Sequence, residues 1–399
     1  MSRFKVVLTA SKFRLGAAVA IAILSAVGMT MGLNWTFIRR LLTYPDNPIT
    51  NTDWYQPQAI VKGNPRPLPT ANPSTLDLAS LERVSVYAAA ADSSALLVMH
   101  RGNLVWERYW GEFDAASTSN SMSMSKTVLA LLIGIAIAEG DIKSELEPVA
   151  NYIAEWSVDD RRKITIQDLL RMQSGLENKD DANNPWSDLV QMYAGNDVDQ
   201  VALKIPAARP PGEVFNYNNG NSQVLSEVLE RATGEKYTDY LSSRLWQPLQ
   251  ADNAWLWLDR SQGNPKPFCC LFATPRDWGR VGQLFLTRGR VNNRQIVSES
   301  WLERMIQPST LSDNYGYHLW LKARTDSKPG LYSRDAEQPF LAADTVYLDG
   351  ASNQRVYIIP EQDLVIVRVG EKPQQWDDTV IPNILITSWR SRSRKKTGI

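Results

Sequence analysis

The feature that most constrains the fold is a run of eleven apolar residues, Val128–Ala138, in a chain of 399 residues. The run is too short to cross a bilayer, which takes about 20 residues, and too long for a typical strand of about 5 or 6. A helix that is apolar on every side has to be covered on every side. The run therefore predicts a central helix that other elements enclose.

A longer uncharged segment, Leu15–Ile38, lies near the N-terminus. Its 24 residues would span about 36 Å as a helix, enough for a hydrocarbon core of about 30 Å. Four basic residues precede it and two follow, which favours an N-terminus inside and a body outside the membrane. We expect an uncleaved anchor over residues 1–43. The alternative is a cleaved signal peptide: the small residues around Ser25 to Gly28 could serve a peptidase, although no clean A-x-A site stands out.

The formal net charge of zero conceals an uneven distribution. Residues 1–40 hold six basic residues and no acid, and the tail from Arg390 to Lys396 holds five basic residues and no acid. Residues 41–389 between them hold 32 basic against 43 acidic side chains. A nucleic-acid-binding body carries the opposite sign, so no nucleic-acid partner is expected. The basic tail, residues 390–399, predicts a solvated end or a contact with anionic lipid headgroups.

The remaining chain divides into a linker and one large body. Residues 44–78 are predicted to be a linker, because seven of the 22 prolines lie there and favour extended backbone. The body, residues 79–389, begins with a hairpin pattern of two apolar-rich runs, Ser94–His100 and Leu104–Trp110. Strand-like runs return only late in the chain, at Asp344–Leu348, Arg355–Ile359 and Leu364–Val369.

Helical patterns fill the middle of the body. They are Glu147–Trp156, Thr165–Met172, Asn221–Thr233 and Tyr237–Leu245, and a closing helix is predicted over Ile381–Trp389. Strands at both ends of a helical middle indicate one sheet that distant segments complete. We therefore predict an α/β (α+β) fold, with a central antiparallel sheet flanked by helices and an inserted, mainly helical subdomain.

A Ser-x-x-Lys motif, Ser123 to Lys126, opens the apolar helix. Residues i and i+3 share a helix face, so the hydroxyl and the amine can meet. A desolvated lysine with a lowered pKa can take the proton of serine and make it nucleophilic, and the helix N-terminus favours a developing oxyanion. The alternative is an N-cap serine with a surface lysine. The same pattern at Ser2–Lys5 and Ser393–Lys396 lies in tails where no site could form.

A second motif, Tyr217-Asn218-Asn219, lies in a Gly/Asn-rich loop before a helical pattern. It contains the one tyrosine of fourteen that occurs in a Tyr-x-Asn sequence. A tyrosine beside a lysine can relay protons, because the cation stabilises the phenolate. The alternative is a loop tyrosine that only makes structural hydrogen bonds.

These elements together resemble the serine β-lactamase and penicillin-binding-protein superfamily. Within it they resemble the class C-like branch of esterases, D-stereospecific peptidases and 6-aminohexanoate-dimer hydrolases, the last most of all. The resemblance covers most of residues 85–388, with similar order and spacing throughout. The segments that carry it are Ser121–Lys126, Ile164–Leu176, Pro211–Asn219, Tyr237–Leu249, Tyr315–Trp320 and Gly350–Gly370.

The resemblance implies a β-lactamase/transpeptidase-like fold and a role for each motif residue. Ser123 would be the acylated nucleophile, Lys126 the general base and Tyr217 the proton relay for the leaving group and the deacylating water. Asn219 would line the cleft and position these groups. The oxyanion hole would use the N–H of Ser123 and an N–H from the strand after Gly350, near Ala351 or Ser352.

One departure from the family pattern bears on the substrate. Many members carry Lys-Thr-Gly or His-Thr-Gly on that last strand, whereas the corresponding stretch here, Asp349–Gln354, lacks the cation. This weakens the case for binding the carboxylate of a β-lactam. The literal Lys396-Thr397-Gly398 stands at the chain end, where no strand can follow it.

The cysteines and histidines suggest no other chemistry. Cys269 and Cys270 are adjacent, and a disulfide between neighbours closes a strained ring, so we expect packed thiols and no metal site. His100 and His318, the two histidines, are not near a nucleophile motif and are not expected to be catalytic bases.

The sequence therefore predicts a serine hydrolase without a cofactor, acting on a small-molecule ester or amide. It would be a single-pass protein of a bacterial inner membrane with its catalytic domain on the periplasmic side. Substrate specificity is expected to come from loops at residues 177–210 and 255–275. A non-turnover, acyl-accepting sensor or penicillin-binding protein of the same fold is the alternative, and the oligomeric state is left open.

Overall fold

A computed structural model describes residues 35–72, 76–327 and 333–397, with side chains as far as Ser388. Most of the predicted anchor, residues 1–34, lies outside the described residues. Of the described helical stretches, Met122–Glu139 is long and apolar enough to cross a bilayer, but 78% of it is buried inside the protein. It therefore serves as a core helix, in agreement with the prediction from its apolar run.

Eleven strands form three antiparallel sheets within the described residues. In chain order they are β1 (Gln58–Val61), β2 (Ser93–His100), β3 (Asn103–Tyr109), β4 (Ser119–Asn120), β5 (Ala254–Trp257), β6 (Leu271–Ala273), β7 (Arg290–Val291), β8 (Arg294–Gln295), β9 (Val346–Gly350), β10 (Gln354–Ile359) and β11 (Leu364–Gly370). The main sheet has the order β3-β2-β11-β10-β9, a second sheet has the order β1-β5-β6-β4, and β7 pairs with β8.

Eleven α-helices accompany these sheets in the described ranges. They are α1 (Trp35–Leu42), α2 (Leu78–Ala90), α3 (Ser125–Glu139), α4 (Ile166–Leu170), α5 (Asp188–Ala194), α6 (Val198–Lys204), α7 (Asn219–Thr233), α8 (Tyr237–Tyr240), α9 (Pro275–Leu286), α10 (Glu299–Met305) and α11 (Val380–Thr397). The mixed architecture with antiparallel sheets and a helical middle confirms the predicted fold class.

The main sheet is covered on both faces, as the alternation along β2 shows. Leu97 and Met99 belong to one core cluster, which includes the apolar side of α9. Leu96 and Val98 belong to the other, which includes buried residues of α2 and α11. Successive side chains of a strand point to opposite faces, so one strand contributes to two cores. The hairpin at the start of the body and the three late strands thus meet in one sheet, as predicted.

Helix α3 is enclosed throughout most of its length. Twelve of its residues, from Ser125 to Ala136, are buried, and it ends at Gly140 in the left-handed conformation with φ 90°. Gly134 allows the closest approach, because a Cβ there would lie 2.1 Å from Cδ1 of Trp301. The indole N–H of Trp301 donates to the Ala130 carbonyl at 2.9 Å, which holds the ring against the helix.

The segment predicted as a linker, residues 44–78, packs on the body where the structure describes it. Strand β1 pairs with β5, and Tyr55 is fully buried, with its hydroxyl donating to the Pro48 carbonyl at 2.7 Å. At the edge of the predicted anchor, the buried Arg40 of α1 donates to the carbonyls of Ala194 at 3.1 Å and Gly195 at 2.7 Å. The proline content predicts extended backbone in this segment. It does not predict the aromatic and guanidinium contacts that hold the segment on the body.

Two further expectations are corrected. Cys269 and Cys270 form a disulfide rather than two packed thiols, so the strain argument did not decide their state. The predicted helix Glu147–Trp156 is two 3-10 turns, Val149–Asn151 and Ala154–Trp156. Pro148 precedes the first turn, and a proline supplies no backbone N–H for a longer helix.

We predict that Gly134→Ala destabilises the protein despite the better helix propensity of alanine. The new methyl group overlaps the Trp301 ring, and overpacking of this kind costs about 1–3 kcal/mol in the free energy of unfolding. Urea unfolding followed by circular dichroism measures the change. The control is Ala138→Val at an exposed position of the same helix, and a Gly134→Ala protein as stable as wild type would contradict the prediction.

Candidate active site

The serine and the lysine of the first motif lie together at the start of α3. Ser123 is in a single 3-10 turn, Met122–Met124, which leads directly into the helix. Met122, the residue before Ser123, takes the left-handed conformation with φ 48°, so the chain turns sharply just before the serine. Lys126 is 1% exposed, and its Nζ lies 2.8 Å from Ser123 Oγ. The surface-lysine alternative is therefore wrong.

Among the described residues, the Lys126 amine has three oxygen neighbours within hydrogen-bond distance, and none of them belongs to a carboxylate. Besides Ser123 Oγ, they are Oδ1 of Asn219 at 2.8 Å and the backbone carbonyl of Phe268 at 2.5 Å. A neutral amine has two N–H groups and one lone pair. The amide and carbonyl oxygens accept the two N–H groups, so the lone pair is left for the Ser123 hydroxyl proton.

Burial of Lys126 lowers its pKa to about 7, and the charges of Asp180 and Asp349 oppose this shift without cancelling it. A base with a pKa near the working pH combines a large deprotonated fraction with a useful affinity for the proton. The amine is therefore suited to take a proton from Ser123 at neutral pH.

Tyr217 completes the polar group around the serine. Its side chain is hydrogen-bonded to that of Ser123, and the Lys126 Nζ lies 5.3 Å from its ring centroid. Burial raises the pKa of Tyr217, whereas the Ser123 bond acts in the opposite direction. The phenol is thus protonated at neutral pH and holds a proton beside the nucleophile.

Aromatic rings fix the position of the Tyr217 phenol. Trp320 stacks on it with an interplanar angle of 22° and a centroid distance of 6.1 Å, and Tyr315 meets it edge-on at 6.0 Å. Trp320 and Tyr315 also contact each other at 4.9 Å. The resemblance includes the segment that contains both rings, but it assigned them no role.

Asn219 stands at the start of α7 and is held by a residue that the sequence did not indicate. Its Nδ2 donates to Oδ2 of Asp180 at 2.7 Å, and its backbone N–H donates to the same oxygen at 3.1 Å. With the amide nitrogen bound to the carboxylate, the amide oxygen has to face Lys126. Asp180 belongs to a loop with several acids, and no spacing rule distinguished it from its neighbours.

The strand end predicted to hold the second oxyanion donor lies beside the serine turn. Gly350 ends β9, and a Cβ on it would lie 2.3 Å from the Ser121 carbonyl oxygen. The Gly350 carbonyl accepts from Nη1 of Arg355 at 3.2 Å. In a trans peptide the N–H points opposite to the C=O, so the N–H of the exposed Ala351 points away from this buried guanidinium. Ser352 follows in the left-handed conformation, with φ 61°.

The two histidines do not take part in this group. His318 is buried below α3, where its Nδ1 lies 3.1 Å from the Lys126 carbonyl oxygen. Burial and the Lys126 charge lower its pKa to about 3, so its ring is neutral. His100 is buried at the end of β2, in the main sheet. Among the described residues no cluster of three or more His, Cys, Asp or Glu side chains could hold a metal ion.

Comparison with known proteins assigns the family. The Beta-lactamase family model matches residues 78–384. The chain belongs to the Beta-lactamase family. The match spans the main sheet, the central helix and both motifs, and it confirms the resemblance inferred from the sequence.

Individual relatives of the chain are named hydrolases. The 6-aminohexanoate-dimer hydrolase of Paenarthrobacter ureafaciens is 26% identical over 298 residues, which cover 70% of this chain and 73% of that protein. The D-aminopeptidase of Brucella anthropi is 25% identical over 197 residues, covering 44% of this chain and 35% of that protein. These names agree with the prediction of a β-lactamase-related hydrolase.

Solved structures share the fold. A candidate 6-aminohexanoate-dimer hydrolase from Bacillus anthracis aligns with a TM-score of 0.70 at 21% identity, covering 88% of this chain and 94% of that one. A D-stereospecific amidohydrolase from Streptomyces sp. aligns with a TM-score of 0.56 at 17% identity, covering 78% and 98%. At these identities the similarity is one of architecture.

We predict that Asp180→Asn moves the acidic limb of kcat/KM against pH to below 7. The Asp180 carboxylate stabilises the ammonium form of Lys126 and so raises its pKa; without that charge the amine deprotonates at lower pH. Asp180→Ala, which also frees the Asn219 amide, should lower kcat/KM by roughly 10- to 150-fold, since a hydrogen bond to a charged group contributes about 1.5–3 kcal/mol.

The control for this experiment is Asp181→Asn, because Asp181 is the next acid along the chain and is exposed. Its pH profile should match that of wild type. An acidic limb that does not move in Asp180→Asn, or one that moves equally in Asp181→Asn, would contradict the assignment of Asp180.

Proposed function

We propose that the protein is a membrane-anchored serine hydrolase that cleaves amide or ester bonds of small molecules through an acyl-enzyme on Ser123. The observation that carries the proposal is the 2.8 Å contact between Ser123 Oγ and the buried Lys126 amine, whose pKa burial lowers to about 7. Ser123 itself is only partly buried, so a substrate carbonyl can reach it.

Acylation needs one proton to leave the serine and one to reach the leaving group. Lys126 takes the Ser123 hydroxyl proton as Oγ attacks the substrate carbonyl carbon. The tetrahedral oxyanion is received by the N–H of Ser123 and by that of Ala351 or Ser352. When the carbon–nitrogen or carbon–oxygen bond breaks, the Tyr217 phenol protonates the departing amine or alkoxide. The proton on Lys126 then restores the phenol.

Deacylation repeats these steps with water as the nucleophile. Water attacks the acyl carbon and gives a proton to the base formed by Lys126 and Tyr217, Ser123 Oγ leaves and is reprotonated, and the carboxylic acid departs. Asn219 keeps the Lys126 amine in place throughout, because its amide oxygen is directed at the amine by Asp180.

Short amides and esters are the substrate class that we propose. The stretch Asp349–Gln354 lacks the cation that many family members carry on the corresponding strand, and a β-lactam carboxylate would not find that cation here. The relative from Paenarthrobacter ureafaciens is named for the hydrolysis of a 6-aminohexanoate dimer, an amide. Loops at residues 177–210 and 255–275 would select among such substrates.

We predict that Ser123→Ala lowers the turnover of a p-nitrophenyl acyl ester by roughly 10³-fold or more, because the acyl-enzyme cannot form. The control is Ser125→Ala, whose hydroxyl is bonded to the Pro267 carbonyl at 2.9 Å and is not part of the proton path. Ser125→Ala should keep its turnover. Equal activity in Ser123→Ala and wild type would refute the proposed function.

Intact-mass spectrometry with a fluorophosphonate identifies the acylated residue and tests the sensor alternative. Wild type should gain one adduct and Ser123→Ala none. A stable adduct with a β-lactam in a protein that does not turn over esters would support a non-turnover sensor instead.

We propose that the N-terminal segment, residues 1–43, anchors the chain in a bacterial inner membrane with the body on the periplasmic side. The support is the uncharged run Leu15–Ile38 and its flanking basic residues. The described helix at its end, α1, exposes Trp35 and Leu42 to solvent, as expected of residues at an interface.

We predict that the full chain, expressed in a bacterium, stays in the membrane pellet after alkaline carbonate extraction and yields N-terminal peptides from residues 1–43. Protease added to spheroplasts should digest the body but leave a cytoplasmic marker protein intact. A carbonate-soluble protein that lacks the N-terminal segment would show that the segment is a cleaved signal peptide.

A further inference from the structure

A buried cluster of charges lies behind the strand end that lacks the family's cation. Two arginines and three aspartates form it through five ion pairs, and all are largely buried: Arg324, Asp335, Asp349, Arg355 and Asp378. Buried charges are costly unless they are paired and hydrogen-bonded. A cluster of this kind therefore places its members within narrow limits.

Arg324 is the member of the cluster that packs against Trp320. Its Nη1 pairs with Oδ2 of Asp349 at 2.6 Å, and its Cζ lies 4.2 Å from the ring centroid of Trp320. The other carboxylate oxygen of Asp349 pairs with Arg355, so both oxygens of this acid are bound. Arg324 therefore lies between a strand-end carboxylate and an aromatic face.

Trp320 lies between Arg324 and Tyr217, the candidate proton donor, and contacts both. The indole stacks on Tyr217 with an interplanar angle of 22°. Its backbone is fixed independently, because Trp320 and Tyr347 of β9 exchange N–H to carbonyl hydrogen bonds at 3.1 and 2.9 Å. The backbone hydrogen bonds thus fix the position of the Trp320 main chain, and Arg324 packs against the indole ring.

Arg324 also acts on Tyr217 through charge. The titratable groups around the phenol comprise two cations, two carboxylates and one further phenol: Lys126, Arg324, Asp180, Asp349 and Tyr315. The two carboxylates raise the pKa of Tyr217, and Arg324 lowers it. Arg324 thus offsets part of the effect that the acids have on the Tyr217 proton.

We propose that Arg324, in the segment before β9, is a positioning residue of the hydrolase: it holds the Tyr217 phenol in place through Trp320 and offsets the charge of Asp349 beside that phenol. The inference rests on the proposed function, in which Tyr217 protonates the leaving group. Its role is limited to the steps that use the Tyr217 proton, and of these kcat/KM reports the protonation of the leaving group. Nucleophilic attack by Ser123 requires the Lys126 amine but not the Arg324 stack.

The test compares two esters with the same acyl group. An ethyl ester releases a strongly basic alkoxide that needs a proton, whereas a p-nitrophenyl ester releases a weakly basic anion that does not. We predict that Arg324→Met lowers kcat/KM for the ethyl ester by about 30-fold and for the p-nitrophenyl ester by less than about threefold. Arg324→Lys, which keeps the charge, should recover much of the ethyl ester activity.

The matched control is Lys322→Met, which removes a cation from the same segment. Lys322 pairs with Asp313 at the surface, so both esters should react as with wild type. Trp320→Phe is the second variant, to be used if circular dichroism shows that Arg324→Met does not fold. It shortens the ring that connects Arg324 to Tyr217 and should also slow the ethyl ester selectively.

Equal losses for the two esters in the folded variants would overturn the proposal, because they would show a general structural role. Full ethyl ester activity in Arg324→Met would overturn it as well. Neither result affects the proposed function, which the Ser123→Ala turnover and adduct experiments test separately. An inactive Ser123→Ala protein combined with equal ester losses therefore refutes the role of Arg324 alone.

Discussion

The active-site arrangement depends on one buried amine, that of Lys126, which lies in the first turn of a largely apolar helix. Its three contacts are neutral oxygens, and the nearest acids act on it only through space. A carboxylate in direct contact would hold the ammonium form and remove the base. The surrounding protein therefore has to bury a lysine while keeping acids at a distance, and α3, α7 and the Phe268 segment together meet that demand.

The elements around Lys126 contribute to its environment in different ways. Helix α7 brings Asn219, and Asp180 decides which end of its amide faces the amine. The Phe268 contact comes from the backbone, so its presence depends on the chain path rather than on a side chain. Strand β9 passes close to the serine turn because Gly350 has no Cβ to meet Ser121. A small shift in any of these elements changes what surrounds the lysine.

Much of this was predictable, and the exceptions have a common cause. Apolar runs and two short motifs are local, and they indicate the sheet, the buried helix and the positions of Ser123, Lys126 and Tyr217. Asp180, Trp320 and Arg324 act through contacts between distant segments, which leave no local pattern. The Phe268 carbonyl cannot be inferred from residue type at all. Whether Cys269 and Cys270 form a disulfide depends on the local backbone, which residue type and spacing do not give.

The packing of residues 44–72 on the body bears on how far the body could move from a bilayer. A free chain of about 30 residues has a root-mean-square reach of roughly 30 Å. Here β1 and Tyr55 hold that stretch against the body and Arg40 holds α1 there, so the chain between α1 and the folded unit is short. In the anchored protein that we propose, the catalytic unit would lie at the lipid surface in one preferred orientation. Its cleft would then bind substrates that come within a short distance of the headgroups.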